Sequence, residues 1–284
     1  MDSNPQPTIS PSSAIPEAAL QIMPASILPP EIVSYIFDLL VSDKKALRCC
    51  SLVCHEWQLL TRSILFKRIQ ILGRSFKERL LECLIYGSSI HSSYIRFLIL
   101  DNWFEDKDDN AVTAHHIGLL VQNLPLLQSL ALKNVPTTTT KPSGSQQGIS
   151  MLTLEELKLV YDNVELEIVS DLLIQFASIN HLVIECDDDE YTGLKDGQTS
   201  VLSSPQVSSL DLEVADLVAL ALSKLLEPAL STLKTLSIKP HDLTYGINGI
   251  AAVTRGTNLS LESFVVDLTR CLSDVGKYLH PNLF

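Results

Sequence analysis

The sequence predicts an α/β protein: an N-terminal module of three helices, then an irregular solenoid of strand–helix repeats with a parallel sheet on its concave side. Three observations carry this expectation. Residues 28–57, LPPEIVSYIFDLLVSDKKALRCCSLVCHEW, hold short helical segments that are apolar on more than one side. A unit of the form apolar-x-x-apolar-x-apolar recurs eight times from Phe66 onward. The spacers between these units carry apolar residues three and four apart, the period of a helix.

Composition bounds the function classes. With 284 residues there is room for one large domain or two modest ones, and 46% apolar residues supply a core without metal or disulfide. Only 6% are aromatic, and this aliphatic excess suits many similar thin layers better than one globular core. The net charge is −12 and no run of Lys or Arg stands out, which argues against nucleic acid or an anionic membrane as partner. Six cysteines, at 49, 50, 54, 83, 186 and 271, lie in apolar patterns without recurring spacing, as reduced, buried thiols of a cytoplasmic or nuclear protein would. There is no secretory signal at MDSNPQPTIS, and no window nears the ~18–20 unbroken apolar residues that span a bilayer.

Residues 1–26 are rich in Pro, Ser and Ala and are expected to be a disordered tail. Residues 27–67 form the helical module. Pro29 and Pro30 suit a first helical turn, where a missing N–H costs nothing, and Glu31 sits near the positive end of the helix dipole. This helix is expected to reach about Val41. Ser42-Asp43 then offers an N-cap for a second helix through Leu52, and a third runs from His55 to about Phe66. In the first helix Ile32, Ile36 and Leu39 make one stripe, and Val33, Phe37 and Leu40 make another. A self-sufficient surface helix keeps one broad polar face. The surplus apolar surface predicts a permanent neighbour.

Residues 68–284 carry the repeats. The units begin at Phe66, Ile95, Leu127, Leu154, Ile179, Val207, Leu233 and Leu261, at intervals of 29, 32, 27, 25, 28, 26 and 28 residues. Such a period marks a solenoid in which each unit buries its apolar face on its neighbours. Helices are expected at Arg74–Tyr86, Thr113–Asn123, Val164–Phe176, Asp216–Leu226 and Ile247–Arg255. Gln70, Ile99, Ala131, Lys158, Val183, Asp211, Ser237 and Val265 lie between apolar strand positions and should face the concave side. Together these features resemble a leucine-rich-repeat horseshoe. Residues 136–150 are low in complexity and read as a flexible loop, and Asp187-Asp188-Asp189-Glu190 as a second exposed loop. A half-formed helix is expected at Leu272–Leu279.

Reactive clusters fare poorly. Cys49, Cys50, Cys54 and His55 invite a zinc site, but adjacent residues leave on different helix faces and no CxxC pair completes a ligand set. The acidic run fails as a calcium loop, because Thr192 stands where Gly is needed and Gln198 where a bidentate Glu is needed. His115-His116 cannot converge on one helix. No catalytic residue, metal site or cofactor is expected.

Leu28-Pro29-x-Glu31-Ile32, Ile36-Phe37, Leu39-Leu40 and Leu52-Val53-Cys54-x-x-Trp57 resemble the F-box motif. The repeats behind it are similar to those of leucine-rich-repeat F-box proteins. The resemblance implies a non-catalytic substrate-recognition subunit of an SCF-type ubiquitin ligase. Its F-box would hold a Skp-family adaptor, and through it a cullin-RING ligase, while the array binds an unknown protein target. Carried over by position, Leu28, Pro29, Ile32, Ile36, Phe37, Leu40, Leu52, Val53, Cys54 and Trp57 are the candidate adaptor contacts. Some of them must serve the module's own core. Asp43-Lys44-Lys45 stands where many F-boxes carry Asp-Leu, and Trp103, Asp162, Asp187, His241 and Thr269 replace the usual Asn after the strands. The alternative is a leucine-rich-repeat interaction scaffold whose F-box-like helices only cap the solenoid.

Overall fold

The computed structural model describes residues 28–72, 92–101, 112–135, 137–138, 152–162, 166–186, 205–240, 250–255, 257 and 260–269. The tail at 1–26, the helix expected at Arg74–Tyr86, the acidic run at 187–190, most of the loop at 136–150 and the segment Leu272–Leu279 lie outside the described residues. The chain divides into two compact units after Thr61.

The first unit contains α1 (Pro30–Leu39), α2 (Lys44–Cys50) and most of α3 (His55–Leu65). Pro29 caps α1 and Pro30 opens it, so the two prolines fall where no helical N–H is missed. The first two helices stop two residues short of expectation because the chain tightens. Leu40 N–H turns to the Phe37 carbonyl at 3.0 Å, and Leu52 N–H to that of Cys49 at 3.1 Å. The Asp43 carboxylate then accepts from the N–H groups of Lys45 and Ala46, capping α2 as the sequence suggests.

The second unit is built on an eight-stranded parallel sheet whose strands follow chain order. They are β1 (Arg68–Leu72), β2 (Phe97–Asp101), β4 (Ser129–Lys133) and β6 (Leu152–Tyr161), then β7 (Phe176–Cys186), β8 (Gln206–Val214), β9 (Thr235–Pro240) and β10 (Ser263–Val266). Two short strands, β3 (Val112–Thr113) and β5 (Thr137–Thr138), pair separately, so the expected loop begins with a strand. Parallel neighbours need crossovers. Those described contain α4 (Ala114–Gln122), α5 (Leu166–Leu173), α6 (Asp216–Leu225) with α7 (Glu227–Leu230), and a helical stretch at 250–255. Thr113 and His116 form a reciprocal capping box at the start of α4, which gives the His116 ring a structural role. Phe176, expected at the end of a helix, instead opens β7.

Register settles how the repeats align. Gln70, Ile99, Ala131, Lys158, Val183, Asp211, Ser237 and Val265 pair strand by strand into one row across the whole sheet. The apolar positions on either side form two parallel rows, typified by Leu98, Leu130, Leu157 and Leu182, and by Leu100, Leu132, Leu159 and Ile184. These side chains are buried, together with Ile117 and Leu120 of α4, Val169 and Leu172 of α5, and Val218 and Leu222 of α6. At about 1.5–3 kcal/mol per fully buried aliphatic side chain, this aliphatic layer is the main stabilising term of the unit. Phe264 of β10 departs furthest from this burial: it occupies the Leu236 row but stays 44% exposed, while Ile69 and Val266 in the end strands are half-buried.

One rung of side chains ties the ends of β4 and β6. Asn134 adopts a left-handed conformation with φ 47°. Its side-chain amide donates to Asp162 Oδ2 at 2.9 Å, and its Oδ1 accepts from the Asp162 N–H at 2.9 Å. In the last unit Asp267 Oδ1 accepts from the Thr269 N–H at 3.0 Å. Polar side chains thus satisfy backbone groups after these strands, without a regular Asn ladder.

Candidate docking surface

The first unit sorts its apolar residues cleanly. Val33 and Phe37, four apart on α1, are buried with Leu47 of α2. The Phe37 ring meets Trp57 of α3 edge-on, with centroids 5.3 Å apart and an interplanar angle of 88°. Thr61, fully buried one turn further along α3, bonds back to the Trp57 carbonyl at 2.7 Å and so exposes no unpaired hydroxyl.

The opposite side of α1 is bare. Ile32 is 48% exposed, Tyr35 63% and Leu39 66%, at spacing i, i+3, i+7, so they form one stripe. Leu28 and Pro29 precede the stripe and Val41 follows it, all exposed. Leu52 and Val53, between α2 and α3, are exposed as well, Leu52 by 85%.

The sequence-derived candidates therefore separate into three groups. Leu28, Pro29, Ile32, Leu52 and Val53 are on the surface. Ile36, Leu40, Cys54 and Trp57 are half-buried. Phe37 has no accessible surface at all and belongs to the module's core, which corrects its place among the candidate contacts. Tyr35, Leu39 and Val41 were missing from that set. For Tyr35 and Leu39, three and seven residues on, the spacing from Ile32 was the available signal, and Leu39 already stood in the motif; Val41, nine residues on, lies off that stripe. Cys49, expected to be buried, is exposed, and Cys186 is buried.

The sheet face away from the second unit's core is polar in its middle strands. Lys158 Nζ lies 2.6 Å from Glu185, His181 Nε2 lies 3.2 Å from Asp211, and Lys239 Nζ lies 3.7 Å from Glu213. A shallow depression of about 40 Å³ lies among Val183, Glu185, Asp211 and Ser237. Among the described residues no group of His, Cys, Asp and Glu could hold a metal ion, and no helix is long and apolar enough to cross a membrane.

Residues 25–71 match the family model described as F-box-like, and the match spans all three helices of the module. The chain thus carries an F-box-like domain ahead of an eight-stranded parallel α/β unit. F-box domains generally bind Skp-type adaptors of cullin-RING ligases. No curated protein matches the chain.

Proposed function

We propose that this chain is a substrate-recognition subunit of an SCF-type cullin-RING ubiquitin ligase, working in the cytoplasm or nucleus. The F-box-like helices dock a Skp-family adaptor, and the second unit, a degenerate leucine-rich-repeat array, binds the protein to be ubiquitinated. The chain does no chemistry of its own. Eight units sharing one register, each apolar-x-x-apolar-x-apolar, support the repeat reading.

The observation that carries the docking role is the bare stripe of Ile32, Tyr35 and Leu39 inside the stretch that matches the F-box-like model. Soluble monomers seldom leave such a stripe uncovered. Each apolar anchor that becomes fully buried contributes about 1.5–3 kcal/mol. Several together can offset the ~4–15 kcal/mol cost of association.

Co-expression with a Skp-family adaptor followed by size exclusion tests the reading. A stable one-to-one complex is expected, lost in a Leu28→Ala/Pro29→Ala variant whose second unit stays folded. A monodisperse lone protein that leaves the adaptor behind favours the scaffold alternative.

A further inference from the structure

The docking module carries charges that its own fold does not compensate. Residues 28–67 hold Lys44, Lys45, Arg48, Arg62 and Lys67 against Glu31, Asp38, Asp43 and Glu56, a small positive excess in a chain whose net charge is −12. Three of the cations are concentrated on α2, where Lys44, Lys45 and Arg48 are all exposed. Lys44 and Lys45 open the helix, at the positive end of its dipole, where a cation is disfavoured. Arg48 lies one turn from both, so the three repel one another. The Asp43 carboxylate beside them is engaged in capping, where it accepts from the N–H groups of Lys45 and Ala46. Among the described residues, none of the three cations is ion-paired with a carboxylate. Two lysines against the helix dipole, with a third cation one turn away and no internal partner for any of the three, point to an external one.

The placement of the patch narrows what that partner is. The helical turn continues past α2 through the Leu52 N–H to Cys49 carbonyl bond. Lys45 and Arg48, three apart on α2, precede Leu52 by seven and four residues, which puts the basic patch and the most exposed apolar residue of the module in one short segment. A protein surface that covers Leu52 also meets Lys45 and Arg48.

We infer that the basic face of α2 is the electrostatic half of the docking surface, paired with carboxylates on the same adaptor that covers the apolar residues. This rests on the proposed adaptor role and adds to it the partner's chemistry, an acidic rim beside an apolar groove. Lys44, Lys45 and Arg48 steer the encounter, and the apolar residues then hold the complex.

The test measures association of the full chain with a Skp-family adaptor in salt from about 50 to about 500 mM, a range over which screening of exposed charges becomes nearly complete. The wild type is compared with Lys44→Glu/Lys45→Glu. That variant places acids at the positive end of α2, so its thermal stability should be unchanged or raised. The expected result is an association rate about tenfold lower or more at low salt, with a flattened salt dependence and a dissociation rate changed far less. Lys44→Arg/Lys45→Arg should behave as wild type. Equal rates and equal salt dependence in wild type and the Glu variant overturn the inference while leaving adaptor docking standing. Failure of the wild type to bind at any salt overturns the docking role itself and this inference with it. Capture of the wild type, but not the Glu variant, by a polyphosphate or duplex DNA probe at the adaptor's salt optimum would reassign the patch to phosphate and overturn the inference.

Discussion

Phe37 and Trp57 are locked edge to face, 5.3 Å between ring centroids, and this contact joins α1 to α3. It separates folding from docking within one short motif, because Phe37 points inward while Ile32 and Leu39 on the same helix point out. Phe37→Ala should lower the stability of the module by about 3–5 kcal/mol, as for other buried Phe truncations. Leu39→Ala should stay within about 0.5 kcal/mol of wild type, since little native contact is lost. Chemical denaturation followed by Trp fluorescence distinguishes the two, and equal losses would show that the stripe is packed in solution.

Asn134 offers a second test, of the joint between β4 and β6. Asn134→Ala keeps a Cβ in the left-handed conformation and removes both side-chain bonds to Asp162. Asn134→Gly removes the same bonds but tolerates the backbone. The Ala variant should be less stable than the Gly variant by about 1–2 kcal/mol, the cost of a left-handed Cβ. Thermal melts of the two proteins give this difference directly, and no difference would mean that the turn relaxes.

Acid stability should report on Asp267. Its carboxyl is held below its ordinary pKa, first by the Thr269 backbone N–H and then by the Thr269 side chain; burial opposes them, and the charge of Lys239 adds least. A pKa lowered by folding means that the group contributes stability above its ordinary range, lost as pH falls through the lowered value. The group is only half-buried and lies at the surface, so the effect is small and screened. Asp267→Asn should therefore lower the melting temperature slightly at neutral pH and converge with wild type as pH falls below about 4, which flattens the acid limb. A variant with the same acid limb as wild type would remove the Thr269 bonds from the account.

The strand positions were legible because period-two alternation within a recurring unit fixes both face and register. The row from Gln70 to Val265 needed no knowledge beyond spacing. Helix centres were legible for the same reason, whereas their ends were not. The tightened turns at Leu40 and Leu52 depend on backbone bonds that apolar spacing does not encode. The Asn134–Asp162 rung was missed because Asn134 stands one residue before the position at which the repeat pattern places its Asn. The candidate surface was half legible. The motif located it, but inward and outward positions of α1 both carry large apolar residues, and only packing assigned Phe37 inward and Tyr35 outward.

The stripe itself can be made polar without touching the core. An Ile32→Asp/Leu39→Asp variant should remain folded, with the Phe37–Trp57 contact intact and Trp fluorescence unchanged.

Isothermal titration of a Skp-family adaptor into the full chain and into this variant is the most direct measurement. One-to-one binding by the wild type, weakened at least ~100-fold in the folded variant, is the predicted result, equivalent to ~2.7 kcal/mol. Equal affinities for both proteins would contradict the assignment of this stripe as the docking surface.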